Sequence, residues 1–330
     1  MDDLLHRALV EPFSRVLLGQ LLTGFYTFTL VLLRMAGLMT IGPLFGQSLV
    51  PVNVRILLVV TLSILITPAL RGQARIGFQR LDADQNGRLT RDEFPEQFHD
   101  RFDRLLRAAG KNTDPTAEGF LTIDEFHQTP QIPSTVIDYA WVGVAEFALG
   151  LVLGLGVLTI LSGLQLAGQL IDQQTGISLG EIANPGLDMN GSVTGTMLFL
   201  LGVTLLLVIK PIGGHLMMVS SLVETFQTLP VGEAVVSASS VELLRDLVHE
   251  SLVLGVQVAA PMLAVMSLVA LTMGFLGHTV PQINVLVVGF PIRVLLSLGI
   301  LTFSLSGAGR MVVDTIPDVI DRLGSVLSGI

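Results

Sequence analysis

Seven residues between positions 82 and 93 combine oxygen ligands and a turn at the spacing that a hard divalent cation requires. They are Asp82, Asp84, Asn86, Gly87, Arg88, Thr90 and Glu93, at positions 1, 3, 5, 6, 7, 9 and 12 of a twelve-residue segment. Oxygens at positions 1, 3 and 5 wrap the cation, glycine at position 6 permits a sharp turn, and position 7 contributes its carbonyl oxygen. A glutamate at position 12 closes the site with both carboxylate oxygens. The pattern predicts a calcium-binding loop of the EF-hand type.

A second segment, 32 residues further on, repeats this arrangement less fully. Its residues at the same positions are Asp114, Thr116, Glu118, Gly119, Phe120, Thr122 and Glu125. Thr116 and Glu118 are weaker choices at positions 3 and 5, so we expect this loop to bind calcium less tightly. Leu89 and Leu121 fall at position 8, where paired EF-hand loops are joined by short strands. The two loops predict an EF-hand pair that binds two calcium ions; the alternative is a pair of acidic surface turns that bind nothing.

The residues between the two loops predict a helix with one apolar face. Phenylalanine and leucine recur there every three or four residues, as on one side of a helix, at Phe94, Phe98, Phe102, Leu105 and Leu106. Two paired loops can share such a face as their common core. Pro130 and Pro133 shorten the last helix, so we expect little surface for a sensor groove.

Charged residues are concentrated in the part of the chain that contains both loops. The chain of 330 residues is 51% hydrophobic and 14% charged, against about 25% charged in a typical soluble domain, which predicts a membrane protein. Residues 71–135 contain 9 basic and 11 acidic residues, out of 18 basic and 27 acidic residues in total. We therefore predict a soluble insert at 71–135 between two membrane parts, 1–70 and 136–330.

The membrane parts contain six apolar stretches. Their approximate bounds are Leu21–Phe45, Val54–Leu70, Tyr139–Ile171, Gly195–Phe226, Ser251–Val280 and Asn284–Leu305. Lys210-Pro211 and Gly213-Gly214 should interrupt the fourth, and Pro261 and the run Gly289–Pro291 should do the same in the fifth and sixth, because proline lacks a backbone donor. The fold class we predict is an all-α membrane protein of about six broken or hairpin-forming apolar helical segments, plus a small EF-hand-like helical insert.

Several classes of protein are excluded by what the sequence lacks. Zero cysteines remove disulfides and thiolate chemistry. The sequence has no phosphate-binding glycine loop and no nucleophile elbow, and its six histidines lack metal-ligand spacing. We therefore expect no enzyme activity. The net charge of -9 disfavours nucleic acid as a partner.

Five short runs outside the insert form a pattern of their own. They are Arg34–Leu38; Ala167–Ile171 with Gln174–Ser178; Gly214–His215 with Leu229–Gly232; Gly274–Leu276; and Pro281–Asn284 with Gly289–Pro291. In order and spacing, these runs resemble the FliR family, the R subunit of the export gate in flagellar and related type III secretion systems. The positions that the resemblance marks for assembly and gating are Arg34, Gly168, Gln169, Gly176, Pro230, Gly232, Pro281, Gln282, Asn284, Gly289, Phe290 and Pro291.

The resemblance implies a non-catalytic subunit of the bacterial inner membrane, located in the flagellar basal body or a related secretion system. In that family one copy joins several P and Q subunits in a closed helical assembly, with the B subunit at its cytoplasmic entrance. Unfolded export substrates pass through the centre. Arginines on both sides of the first two stretches favour a cytoplasmic insert by the positive-inside bias.

This sequence departs from the family pattern at three places. His278 stands where a basic residue is common, and Arg293 stands where an apolar residue is more usual. The insert at 71–135 replaces a short connection, and family members are not generally calcium proteins. The insert and its loops are therefore additions to the family's plan.

Ionisable residues in or beside the apolar stretches support a rival interpretation, because such groups by default mark a pathway or a paired site. They are Arg34, Glu146, Asp172, Lys210, His215 and Arg293. Glu146 and Asp172 could relay protons in a calcium-regulated solute transporter, but they are better explained as partners of basic groups on neighbouring subunits. A transporter should show two inverted halves, and the apolar stretches show no internal repeat. A calcium-buffering scaffold would leave the export-family motifs unexplained.

Overall fold

The computed structural model describes residues 11–46, 50–94, 99–109, 111, 119–126, 133, 135–175, 192–210, 213–234, 238–280 and 285–328. Helices account for most of these residues. They are α1 (Glu11–Ile41), α2 (Val52–Leu81), α3 (His99–Ala108), α4 (Ile123–Phe126), α5 (Val136–Thr175), α6 (Val193–Val208), α7 (Gly214–Thr228), α8 (Ala238–Thr279) and α9 (Val285–Ser328). The strands in the described part are β1 (Leu89–Thr90) and β2 (Phe120–Leu121).

Five helices in the described part of the chain are long and apolar enough to cross a membrane. Their apolar segments are Leu21–Ile41, Val52–Leu70, Val136–Thr175, Ala238–Thr279 and Val287–Ser328. An apolar run of about 20 residues satisfies its own backbone hydrogen bonds as a helix, which a bilayer core requires. Helix α6, with 16 residues, is apolar but shorter. The prediction of an all-α membrane protein is confirmed.

The predicted interruption of the fourth apolar stretch is confirmed. Helix α6 ends at Val208, and helix α7 begins at Gly214. Between them, Gly213 has a φ of 85°, a conformation that glycine adopts without steric cost. This stretch is therefore two helices, as the Lys210-Pro211 and glycine sequence indicates.

The breaks predicted in the fifth and sixth stretches are wrong. Helix α8 continues through Pro261, and helix α9 continues through Gly289, Phe290 and Pro291. A proline inside a helix removes one intrahelical hydrogen bond, and in membrane helices the freed carbonyl finds other partners or a local adjustment. The many remaining bonds of helices with 42 and 44 residues outweigh the bonds lost at Pro261 in α8 and at Pro291 and Pro317 in α9.

The chain packs as two compact units. Unit 1 comprises Met1–Gly154, Val219–Val241 and Arg322–Ile330, and unit 2 comprises Leu155–Met218 and Glu242–Asp321. Helix α5 thus contributes its first half to unit 1 and its second half to unit 2. The division at 70/71 and 135/136 that the charge distribution predicts stays a prediction, and helix α2 runs across the first of these positions.

Glycines on helix α5 allow close helix contacts within each unit. In unit 1, a Cβ atom on Gly150 would collide with the carbonyl oxygen of Arg34, so α1 and α5 touch backbone to backbone. In unit 2, a Cβ atom on Gly163 would collide in the same way with the carbonyl oxygen of Ser251 on α8. Small residues at such crossings permit the close packing that drives association of membrane helices.

The insert has the paired strands and apolar core that its sequence predicts. Strands β1 and β2 are antiparallel, and Leu89 lies opposite Leu121. The apolar residues buried in this part of the chain include Phe78, Leu81, Phe94, Phe102, Leu105, Leu106 and Phe126. The ring centroids of Phe94 and Phe102 are 5.5 Å apart. Phe98, which the pattern places on the same face, lies outside the described residues.

Candidate functional site

The first predicted calcium loop has the backbone that its glycine and acidic residues favour. Gly87 has a φ of 74° and Gln85 a φ of 56°, so the chain turns sharply at these positions. The carboxylate of Asp82 accepts hydrogen bonds from the backbone N–H groups of Asn86, at 3.1 Å, and Gly87, at 2.9 Å. The N–H of Arg88 donates to the side-chain oxygen of Asn86 at 2.7 Å. The loop therefore wraps around its first carboxylate.

Three carboxylates of this loop converge on one point. Asp82, Asp84 and Glu93 each place an oxygen within 4.8 Å of the other two. The Glu93 carboxylate also accepts hydrogen bonds from the N–H of Ala83, at 3.1 Å, and of Thr90, at 2.9 Å. An all-oxygen set of this charge suits a hard cation such as calcium. The residues present thus fit the ion that the spacing predicts.

The second loop differs from the first in the described part. Asp114, Thr116 and Glu118 lie outside the described residues. The ammonium nitrogen of Lys111 lies 2.8 Å from the carbonyl oxygen of Phe120 and 2.8 Å from the Glu125 carboxylate. These are the predicted ligands at positions 7 and 12. A lysine thus holds two of the oxygens that a calcium ion would need.

Glu125 receives a further hydrogen bond from Thr122, and its hydrogen bonds affect its ionisation. The N–H of Thr122 donates to its carboxylate at 2.7 Å. Partial burial raises the pKa of Glu125, but the hydrogen bonds from Lys111 and Thr122 and the Lys111 charge together outweigh this effect. The net pKa of Glu125 lies below its usual value, so the carboxylate is ionised at neutral pH.

A buried ion pair holds the family-motif arginine of helix α1. The Nε of Arg34 donates to Glu146 on helix α5 at 2.5 Å, and both side chains are fully buried. Arg34 also donates to the hydroxyl of Thr225, at 2.9 Å, and to the carbonyl oxygen of Leu229, at 3.3 Å. The other oxygen of Glu146 accepts from the N–H of Gly232 at 2.7 Å. Arg34 and Gly232, two of the predicted motif residues, therefore belong to one network.

Arg101 of the insert binds the same region of the membrane part. Its Nε donates to Glu233, and its Nη1 donates to the carbonyl oxygen of Thr228. The side chain is 3% exposed, and its guanidinium lies 4.8 Å from the ring centroid of Phe126. Burial lowers the pKa of Arg101, and the charge of Glu233 opposes this effect.

Sequence reasoning missed Arg101, although a local signal for its burial exists. Arg101 follows Phe94 by seven residues and precedes Leu105 by four, so helical periodicity places it on the apolar face. Its partner Glu233 is 132 residues away in the sequence. No local pattern indicates that pairing.

The expectation of pairing with a basic group on a neighbouring subunit is wrong for Glu146, and for Asp172 it stays a prediction. Glu146 pairs with Arg34 in its own chain. The Asp172 carboxylate accepts hydrogen bonds from the Ser192 hydroxyl, at 2.5 Å, and the Thr194 N–H, at 3.1 Å. It therefore holds the N-terminus of helix α6, where a negative charge is stabilised by unpaired N–H groups and the helix dipole.

The remaining motif residues occupy different settings. Gly168 is buried where a Cβ atom would collide with the backbone of Gly195, whereas Gln169 is exposed. Gly289 is buried, Phe290 and Pro291 are exposed, and Pro230 is half-buried beside Gly232. Gly176, Pro281, Gln282 and Asn284 lie outside the described residues.

Comparison with known proteins finds similar proteins of bacterial export systems. The family described as bacterial export proteins, family 1, matches residues 25–318. The flagellar biosynthetic protein FliR of Caulobacter vibrioides is 28% identical over 190 residues, which cover 58% of this chain and 74% of that protein. FliR of Escherichia coli is 26% identical over 161 residues, 49% of this chain and 60% of that protein. The Yop proteins translocation protein T of Yersinia pestis is 30% identical over 150 residues, 45% of this chain and 56% of that protein.

Proposed function

The chain belongs to bacterial export proteins family 1, the FliR family, and is a membrane component of the flagellar or type III export apparatus; from this premise we propose that it packs with P- and Q-type subunits around the path of unfolded export substrates. The observation that supports this most directly is the family match, which extends over residues 25–318. The proposed place is the inner membrane, in the flagellar basal body or its virulence-type counterpart, with a B-type subunit at the entrance. The role is structural rather than catalytic.

Exposed apolar helix faces support a role in a larger assembly. On helix α9, Leu295 is 71% exposed and Phe303 is 77% exposed, and on helix α2 Leu65 is 70% exposed. Apolar surface of this extent requires a cover of lipid or protein. An export gate, in which several membrane subunits surround a channel, supplies the protein cover.

Purification from the native membrane tests this proposal. An affinity-tagged chain, solubilised in mild detergent, should co-purify with P- and Q-like subunits, and deletion of the protein should stop flagellar assembly or secretion. An unrelated inner-membrane protein with the same tag serves as the control. A lone homo-oligomer, together with normal secretion in the deletion strain, would contradict the proposal.

We further propose that the first loop of the insert binds calcium. Asp82, Asp84 and Glu93 support this, because their oxygens converge within 4.8 Å in a loop with the EF-hand turn. The second predicted ion, at Glu125, is held more weakly. A calcium-regulated transporter is disfavoured, because Glu146 and Asp172 are engaged in structural contacts within the described chain.

Calcium titration of the full chain in detergent, followed by calorimetry, tests the site. Glu93→Gln removes the charge of the closing carboxylate but keeps its shape, so the stronger calcium binding should disappear. The double change Glu93→Gln with Glu125→Gln should abolish binding at both loops. Glu224→Gln, at an exposed glutamate of helix α7, should leave binding unchanged. Calcium binding that survives the double change would refute the assignment.

A further inference from the structure

The turn after helix α7, residues 228–234, is bound by two buried arginines from different parts of the chain. Arg34 of helix α1 reaches the carbonyl oxygen of Leu229, and Arg101 of the insert reaches that of Thr228. The last carbonyls of a helix lack intrahelical partners and lie at the negative end of its dipole, so they attract cations. We call residues 228–234 the α7 turn. The insert therefore supplies one of the two cations that hold the α7 turn.

Each arginine is neutralised by a glutamate that also contacts the α7 turn. Glu146, the partner of Arg34, accepts a hydrogen bond from the N–H of Gly232. Glu233, the partner of Arg101, is itself part of the turn. Two arginine–glutamate pairs thus hold the α7 turn. We call them the Arg34 clamp, formed by Arg34 and Glu146, and the Arg101–Glu233 clamp, which the insert provides.

The clamp from the insert is connected to the first calcium loop through Phe94. Phe94 directly follows the closing ligand Glu93, and its ring centroid lies 5.6 Å from the guanidinium of Arg101. It is 3% exposed and packs against Phe102 on helix α3. Because Phe94 is joined to Glu93, a displacement of Glu93 should also displace the ring that contacts the Arg101 guanidinium.

Repulsion between carboxylates opposes the hydrogen bonds from Ala83 and Thr90 that hold Glu93 in place. Three carboxylates within 4.8 Å of one another repel, by about 1 kcal/mol per pair at that separation in water and by more at a lower dielectric constant. A divalent cation between them reverses the sign of this interaction. Calcium therefore favours the conformation in which Phe94 supports Arg101.

We propose that calcium in the first loop strengthens the Arg101–Glu233 clamp, so that the insert acts as a calcium-dependent brace on the α7 turn. This inference rests on the calcium site of the proposed function. Coupling between two sites is reciprocal: if calcium strengthens the clamp, loss of the clamp weakens calcium binding by the same factor. The brace can therefore be tested by a change far from the loop.

Glu233→Gln provides that test in the full chain in detergent. The Glu233 side chain is 28% exposed, so glutamine fits its place while the charge pair with Arg101 is lost. We expect the calcium affinity of the first loop to fall at least about fivefold. The matched control Glu224→Gln removes an exposed carboxylate of helix α7 nine residues earlier and should keep the affinity within about twofold of the unmodified chain.

Hydrogen exchange of the unmodified chain gives a second measurement that does not depend on a variant. Calcium should slow amide exchange in the α7 turn, where the N–H of Gly232 is hydrogen-bonded, and Glu233→Gln should remove most of that difference. If the unmodified chain binds calcium but Glu233→Gln matches the control in both measurements, the brace is refuted and the calcium site stands. If the unmodified chain binds no calcium, the calcium site and the brace are both refuted.

Discussion

At the scale of single residues, Lys111 is one cause of the difference between the two predicted calcium loops. The sequence predicts a weaker second loop from Thr116 and Glu118, which lie outside the described residues. The structure adds a second cause, because Lys111 binds the carbonyl oxygen of Phe120 and the carboxylate of Glu125. A calcium ion must displace this ammonium group before it can use either oxygen.

Replacement of Lys111 should therefore strengthen calcium binding at the second loop. Lys111 and Glu125 are 29% and 24% exposed, so their pairing is worth about 1 kcal/mol or less. Lys111→Met should tighten binding by up to about fivefold, measured by calorimetry on the full chain in detergent. Arg107→Met removes an exposed positive charge from helix α3 and is the control. Identical isotherms for both variants would show that Lys111 does not compete with calcium.

At the scale of helices and strands, the sequence predicts what depends on local chemistry. The apolar runs identify the membrane helices, and Gly213 with its neighbours identifies the boundary between α6 and α7. The pairing of Leu89 with Leu121 follows from loop spacing. The break predicted at Pro261 is wrong because that prediction considers only the hydrogen bond that proline removes. The 42-residue helix retains many others. Local patterns also miss Arg101 and Glu233, whose contact depends on packing of distant segments.

Gly150 lies at a helix crossing, whereas Gly274 lies on an open helix face, so alanine should affect stability differently at the two positions. Gly150→Ala adds a Cβ atom against the backbone of Arg34, whereas Gly274→Ala adds one where nothing lies within 4 Å. The first change should destabilise the protein by about 1–3 kcal/mol or more. The second should stabilise it by about 0.5–1 kcal/mol, because alanine loses less conformational entropy than glycine in a helix.

Thermal unfolding of both alanine variants in the same detergent measures these opposite shifts. Gly150→Ala should lower the midpoint by several degrees, while Gly274→Ala should leave it equal or slightly higher. Equal midpoints for the two variants would mean that α1 and α5 can separate at little cost.

At the scale of the whole molecule, the run Gly289–Pro291 is expected to pack against other gate subunits. A Cβ atom on Gly289 would lie 3.9 Å from Met273, which is ordinary contact, and Phe290 is 55% exposed. Gly289→Leu thus has room for its Cβ atom in the chain itself, and we expect it to block co-purification of P- and Q-like subunits. Gly24→Leu, at an open position of helix α1 outside the family runs, tests whether added bulk alone is sufficient. Normal complex yield from Gly289→Leu would show that this face contacts lipid or solvent.

Contacts outside the insert hold helix α5 against helix α1. Near its start, the hydroxyl of Tyr139 lies 2.7 Å from that of Thr29 on helix α1, and the rings of Tyr139 and Tyr26 are 5.7 Å apart. Further along, Arg34 and Glu146 connect the same two helices and bind the α7 turn. None of these residues lies within 71–135, so we expect the contacts to remain when that segment is removed.

Replacement of residues 71–135 by a short flexible linker should therefore leave a gate that assembles and exports. The Arg34 clamp still holds the α7 turn, and Glu233, already 28% exposed, becomes hydrated when Arg101 is absent. Motility or secretion of the strain that carries this variant measures export, and its response to calcium and chelator should disappear. A variant that keeps the insert but carries Glu93→Gln separates loss of calcium from loss of the insert. Complete loss of export in the excision variant, with normal export in Glu93→Gln, would mean that the insert itself is required for the gate and that the Arg34 clamp is not sufficient.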